Sequence, residues 1–456
     1  MADSNNKKMT LTGLTTLVAV NMMGSGIIML PSSMAQIGAI SLLSWIVTAI
    51  GSMAIAYSFA QLGVFCNRSG GMSAYSEEAH GKSSFFMASF LYYLSLAIGN
   101  VAIAISAVGY LTPFFPWLGT GATPLFVGVV GLIWLTIVAN FGGARLTGKI
   151  GAITVWGVII PVAGLGIIGW FWFSADTFAQ AWNPQNLKMS DAIAQSIPLT
   201  LWAFLGMESA AQNSDAVENP KKNVPLACLL GTLGAAVIYV LSTAVIQGIV
   251  PNAELANSSA PFAYVYAQMF NPFVGNIIMA LAVIACVGSL LGWQFTLAET
   301  AKFTADFRMF PKVFAKLNKA GAPVIGMVIA GVIQTLFAVT TMSPDAAAQF
   351  GKLVDLAAVT NIVPYITAIS ALVIVMKKAN VTGKAFTLNI ICMLVAILYS
   401  AYALYASGME AVFGGMVVMM LSYLLYGFIA YRFDKKDTTQ ASAESNNLSV
   451  ATHHSY

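Results

Sequence analysis

Two apolar segments of this chain are long enough to cross a bilayer yet are interrupted mid-way. One carries Asn21-Met-Met-Gly-Ser-Gly-Ile27 and the other Trp202-Ala-Phe-Leu-Gly-Met-Glu208. Backbone groups without partners in hydrocarbon cost several kcal/mol each, so a broken helix persists at membrane depth only where it lines a protein-enclosed cavity. Paired breaks, roughly five spans apart, mark a midplane substrate site between inverted repeats. The pattern predicts a carrier.

Composition agrees. The 456 residues are 58% hydrophobic and 8% charged, where an ordinary soluble domain carries about 25% charge. Twelve segments of about 20 residues or more qualify as spans, near 11–38, 40–66, 84–113, 123–141, 150–173, 192–213, 226–250, 272–301, 323–342, 350–376, 385–406 and 411–431. The predicted fold is therefore an all-α membrane protein with 12 transmembrane helices. Twelve spans put both termini on one side. Of the 21 lysines and arginines, 19 fall on that side, in the termini and alternate loops; only Lys188 and Lys352 fall opposite. The positive-inside rule then predicts cytoplasmic termini, and topology accounts for the net charge of +4 without nucleic acid. Residues 1–10 read as a cytoplasmic N-terminus and 432–456 as a polar, Ser/Asn/Thr-rich, disordered cytoplasmic tail.

Several weaker signals carry no chemistry. The four cysteines, Cys66, Cys228, Cys286 and Cys392, show no CxxC spacing. No A-x-A cleavage site follows the first apolar run, which reads as a retained span. Gly164-Leu-Gly-Ile-Ile-Gly169 matches a dinucleotide fingerprint by letter but lies inside an apolar span with no preceding strand; close helix packing explains its glycines. Asn257-Ser-Ser and Asn380-Val-Thr fit the glycosylation triplet, a pattern that arises by chance. There is no Ser/His/Asp set, P-loop or HExxH pattern, and His453 and His454 are a poor metal pair in a polar tail. An enzyme, a cofactor and a metal are not expected.

The breaks carry the chemistry. Gly24-Ser25-Gly26, with Pro31 following, ends helical continuity. Half-helix N–H groups suit a substrate carboxylate and unwound carbonyls accept from an ammonium. Glu208 follows Gly206 in a span that should be buried, and an intramembrane carboxylate is by default a functional hypothesis. Burial opposes its charge while a cationic substrate favours it, which suits proton-for-substrate exchange or gating; a structural acid bonding the unwound backbone is the competing reading. Glu299 is placed to pair with Lys302. Asp355, three residues after Lys352, reads equally as an i,i+3 ion pair or as a receiver of a distal ammonium. Trp202 and Trp293 sit in glycine-flanked central stretches, where aromatic faces stabilise cations by about 0.5–2 kcal/mol each. Trp117, Trp170 and Trp172 fit interfacial belts instead. Tyr92 and Tyr93 precede Asn100 by about two turns, so they are expected on its face.

At these residues the chain resembles the amino acid–polyamine–organocation (APC) superfamily, in its basic amino acid/polyamine antiporter branch. The resemblance covers about 8–435 and rests on Asn21–Pro31, Val138-Ala-Asn-Phe-Gly-Gly-Ala-Arg145, Glu218-Asn-Pro-Lys-Lys-Asn-Val-Pro225 and Gly288–Phe295. It implies a LeuT-type fold: a ten-helix core at 11–376, with inverted repeats at about 11–173 and 192–376, plus two accessory helices at 385–431. It also implies a substrate site at Ser25 and Gly26, stacking and gating aromatics at Trp202 and Trp293, and a central acid at Glu208. Glu77, Tyr92 and Tyr426 match positions associated with polyamine handling, and Lys302 one linked to ornithine exchange. Glu77 is expected in a cytoplasmic loop. Departures from the branch are Leu62 for a cysteine, Met309 near a tyrosine, Asp355 for an asparagine, and unusual His80 and Arg308.

The implied activity is exchange of a basic amino acid for its decarboxylated amine, nearest to putrescine–ornithine antiport in the inner membrane, with proton-coupled putrescine uptake as a second mode. Histidine–histamine exchange and proton-coupled amino acid symport are the alternatives. Implied partners are cationic small molecules, the bilayer, a cytoplasmic amino acid decarboxylase by functional link, and a second copy through the last two spans.

Overall fold

The computed structural model describes residues 9–66, 71–208, 217–343 and 345–453. The described residues are helical throughout; their β pairing is an isolated bridge between Met9 and Val217. The Lys7, Lys8 and Arg68 positions of the charge argument lie outside the described residues, as does part of the segment following Glu208.

The first span is two helices. α1 (Leu11–Met22) starts where Thr10 Oγ1 accepts from the Gly13 N–H at 3.3 Å. After Met22 the chain makes one 3-10 turn, Ser25–Ile27, before α2 (Leu30–Ile37) begins with Pro31 in its first turn, where a missing N–H costs nothing. α3 (Leu42–Phe65) returns. α4 (Gly71–Leu111) is longer than expected: the stretch read as a loop, including Glu77, is helical as far as Gly81, whose φ of +77° turns the chain before the helix resumes. No breaker stands between Met72 and His80, so that stretch has no reason to stop.

α5 (Ala122–Asn140), α6 (Ala144–Thr154) and α7 (Trp156–Ile168) follow, then the short α8 (Ala175–Gln180). α9 (Met189–Phe204) ends at the second break, and α10 (Pro220–Ile249) is a full span. Two short helices, α11 (Asn252–Ala256) and α12 (Pro261–Met269), lead to α13 (Pro272–Asp306). α14 (Val324–Thr340), α15 (Ala346–Ser370), α16 (Leu372–Lys378), α17 (Gly383–Ala406) and α18 (Gly408–His453) complete the chain. α18 runs past Lys435, where composition predicts a disordered tail; no glycine or proline after Gly427 ends it.

Among the described residues, nine helical stretches are long and apolar enough to cross a membrane, and Val324–Thr340 is a shorter apolar helix. Their burial differs sharply. The most apolar window of α4 is 89% buried and that of α18 11%, so α4 is a core helix and α18 a peripheral one. α4 packs along α13 and α15, with α3, α9 and α10 grouped beside them. None of the four cysteines forms a disulfide among the described residues.

Candidate functional site

The two breaks pack directly on each other. Gly206 has φ +104°, and a Cβ there would stand 3.0 Å from the Asn21 carbonyl oxygen. A side chain at this position would be strained in conformation and crowded in space. The breaks also expose carbonyls that need donors in an apolar interior. Tyr110 Oη donates to the Ile28 carbonyl at 3.3 Å, and Tyr239 Oη donates to the Ala203 carbonyl at 3.0 Å. Both tyrosines are fully buried. Neighbouring helices thus supply what the interrupted ones lost.

Glu208 sits at this junction and is 3% exposed. Its carboxylate collects three donors: Tyr92 Oη to Oε1 at 3.3 Å, Tyr365 Oη to Oε2 at 2.8 Å, and the Gly206 N–H to Oε2 at 3.1 Å. The positive φ of Gly206 is what turns its N–H back toward the acid. All three donors are neutral, and no cationic side chain among the described residues lies within ion-pair distance of Glu208. The acid therefore belongs both to the break, as its structural ligand, and to the space it faces.

That space is a cavity between α1, the first break, α4, α9, α13 and α15. Of the residues the sequence singles out, Gly26, Tyr92, Asn100, Trp202, Glu208 and Trp293 meet here. Ser25 lies in the 3-10 turn of the same break; its side chain is outside the described residues. Trp202 is held by close backbone approaches: a Cβ on Gly26 would lie 3.3 Å from its Nε1, and one on Gly99 2.9 Å from its Cη2. Its ring meets Phe350 edge-on at 6.3 Å. Trp293 is half-buried and borders both the cavity and a wider space beside it that is partly open to solvent. Asn140 helps position that stretch, donating to the Leu291 carbonyl at 2.9 Å while accepting from Thr147 Oγ1 at 2.6 Å.

The wider space shares Asn21, Gly24, Tyr92, Glu208 and Trp293 with the cavity, and shares Tyr92, Phe295 and Thr296 with a third space that reaches Glu299 and Phe303. The cavity thus shares walls with two neighbouring spaces that extend toward the C-terminal end of α13.

Other candidates fall elsewhere. Tyr93 does not line the cavity; it packs edge-on against Phe310 and Phe314 at 5.7 and 6.4 Å. Glu77 lies on the Gly71–His80 stretch, outside the cavity wall. Tyr426, on α18, stacks near Phe86 at 5.9 Å. Lys302 pairs with Glu299 at 3.3 Å, as the spacing predicts. Asp355 does not line the cavity, and it makes no ion pair with Lys352, which is exposed. Sequence reasoning passed over Tyr365 and Asn361. These are two polar residues at i,i+4 in the second half of α15, and that spacing was the available signal. Among the described residues no His/Cys/Asp/Glu group is arranged to hold a metal.

The sequence model of the amino acid permease family matches residues 10–431. The chain is 54% identical over 440 residues to the putrescine transporter PotE of Escherichia coli K12, covering 96% of this chain and 99% of the relative. It is 52% identical to the putrescine transporter PotE of Haemophilus influenzae, over 95% of this chain and 99% of the relative. The cadaverine/lysine antiporter of E. coli K12 is more distant, at 34% identity over 93% and 95%. The chain belongs to the amino acid permease family of the APC superfamily, and it is a multi-pass membrane protein.

Proposed function

We propose that this chain is an inner-membrane antiporter that takes in ornithine and expels putrescine, leaving both chemically unchanged. The observation that carries the reading is Glu208: a buried carboxylate, held by three neutral donors, facing a cavity with no cationic side chain among the described residues opposite it. Such a site is completed by a cationic substrate. Putrescine is the substrate in the names of the relatives at 54% and 52% identity.

Nine long apolar stretches, the shorter α14 and the two broken segments together give twelve spans, arranged as two inverted five-helix repeats plus α17 and α18. The basic residues place both termini and the C-terminal end of α13 in the cytoplasm. The two neighbouring spaces then face the cytoplasm, and Trp202 with Phe350 lies toward the outer side. The exposed apolar faces of α17 and α18 are compatible with a homodimer.

Ornithine carries charge +1 and putrescine +2 near neutral pH, so exchange exports one charge. Against an inside-negative potential this costs about 2.3 kcal/mol per 100 mV. Opposed gradients of the two substrates must supply it, with a cytoplasmic decarboxylase maintaining both. Proton-coupled putrescine uptake uses the same site, with Glu208 as the titrating group.

The test is labelled ornithine uptake into proteoliposomes preloaded with putrescine, cadaverine, agmatine, histamine or nothing. Uptake that requires internal putrescine is the expected result. Histidine uptake supported by histamine alone would keep the fold and overturn the substrate. Uptake into empty vesicles driven only by a pH gradient would replace exchange by symport.

A further inference from the structure

Among the described residues, three polar side chains of the cavity wall are buried without hydrogen-bond partners: Asn100 at both amide atoms, Asn361 at Oδ1 and Trp202 at Nε1. Asn100 is 1% exposed and Asn361 2%. A buried amide that gives up water and finds no partner is destabilising. The unpaired Oδ1 atoms of Asn100 and Asn361 on one cavity wall therefore point to a ligand that supplies donors, while the Asn100 Nδ2 and Trp202 Nε1 groups call for an acceptor such as a substrate carboxylate.

Their separation follows from the packing of α4 on α15. As numbering rises along α4 from Tyr92 to Ser95, its partners on α15 fall from Tyr365 to Ala357: Tyr92 and Tyr365 meet on the Glu208 carboxylate, at 3.3 and 2.8 Å, and Ser95 Oγ donates to the Ala357 carbonyl at 3.0 Å. The helices are antiparallel, and Ser95 is level with Ala357. Asn361 falls four residues from that level in the direction of Tyr365 and Glu208. Asn100 falls five residues the opposite way, in the direction of Trp202 and Gly99. Nine residues at 1.5 Å each separate the two levels by about 13 Å. Each side chain leans toward the N-terminus of its own helix, which draws the amides together by a few ångströms.

The substrates of the proposed exchange, on which this inference rests, share one skeleton. In ornithine, as in putrescine, four carbons separate two ammonium nitrogens. The nitrogens of the extended chain are about 6 Å apart from standard bond lengths. Adding a hydrogen bond of about 2.8 Å at each end gives roughly 12 Å between acceptors.

We propose that Asn361 and Asn100 are the two ends of a length gauge for diamines. Asn361 joins Glu208 in accepting from one ammonium, and Asn100 accepts from the other. The gauge reads the feature common to both substrates, so one cavity serves both directions of exchange. The carboxylate that distinguishes ornithine is left to the first break.

The experiment measures competition by 1,3-diaminopropane, putrescine and cadaverine against labelled ornithine in proteoliposomes. The proteins are wild type, Asn361→Gln and Asn361→Ser. The glutamine adds one methylene and shortens the gap; the serine lengthens it. Asn361→Gln is expected to shift preference from putrescine toward 1,3-diaminopropane, and Asn361→Ser toward cadaverine, each by roughly fivefold in the ratio of inhibition constants. A residue that only supports the fold would weaken all three diamines alike. Unchanged ratios in both variants, or shifts of the same sign, overturn the gauge. If one variant does not fold, the other alone decides by the direction of its shift. Wild-type protein indifferent to all three diamines would instead overturn the exchange reading, a result distinguishable because it needs no variant.

Discussion

At the residue scale the argument concentrates on Glu208, which serves two demands at once. It satisfies the Gly206 N–H at the break and presents charge to the cavity. Glu208→Gln keeps the shape but removes the charge, so it is expected to fold and to raise the KM for putrescine roughly 10- to 100-fold, the span of one lost charge-assisted hydrogen bond. Its exchange rate should also become flat with pH where the wild type responds, if the carboxylate is the titrating group; a pH profile in proteoliposomes checks this. Tyr365→Phe removes the 2.8 Å donor to Oε2. It is expected to destabilise the empty protein by about 1.5–3 kcal/mol, and by less with saturating putrescine, whose ammonium replaces the lost donor. Thermal unfolding with and without putrescine measures both. Glu208 was legible in the sequence because a carboxylate inside an apolar span is costly. Tyr365 and Asn361 were harder to see, since a tyrosine or an asparagine in a span also serves as interfacial anchor or interhelical glue. Asp355 shows the converse. Its spacing from Lys352 invited an ion pair, but the lysine is exposed and the pair is not made.

At the element scale, both breaks were readable from glycine placed in the middle of spanning segments. What was not readable is that Gly206 rests on the Asn21 carbonyl, because that contact joins residues far apart in the chain. Gly206→Ala is expected to cost about 1–3 kcal/mol through its positive φ alone and to separate the breaks, lowering both expression and exchange. The glycines that hold Trp202 differ in tolerance. At Gly99 an added methyl meets Cη2 at 2.9 Å, and at Gly26 it meets Nε1 at 3.3 Å. An indole has few rotamers into which to retreat. Gly99→Ala is therefore expected to impair exchange more than Gly26→Ala, and initial-rate measurements on the two variants check the order. The first stretch of α4 was misread as a loop because short amphipathic helices outside the bilayer lack the apolar run that marks a span.

At the scale of the whole molecule, the three adjoining spaces give the protein a direction. Their shared walls run from Glu208 past Trp293 and Thr296 to Glu299, and at the other end of the cavity Trp202 packs edge-on against Phe350. A carrier that alternates access must close one face while the other is open, and this arrangement has the geometry of one end state. With the proposed orientation, a cysteine at Thr296 faces the spaces on the cytoplasmic side. In a background where the half-exposed Cys66 and Cys392 are replaced by alanine, Thr296→Cys is expected to react with a membrane-impermeant thiol reagent added to inside-out vesicles and not to right-side-out ones. Putrescine at saturating concentration should slow the reaction, because closure around substrate narrows the path past Trp293. Labelling only from the opposite face would reverse the orientation while leaving the site intact. Equal labelling from both faces, unaffected by putrescine, would mean that the adjoining spaces are packing voids rather than a route, and the exchange mechanism would need another path.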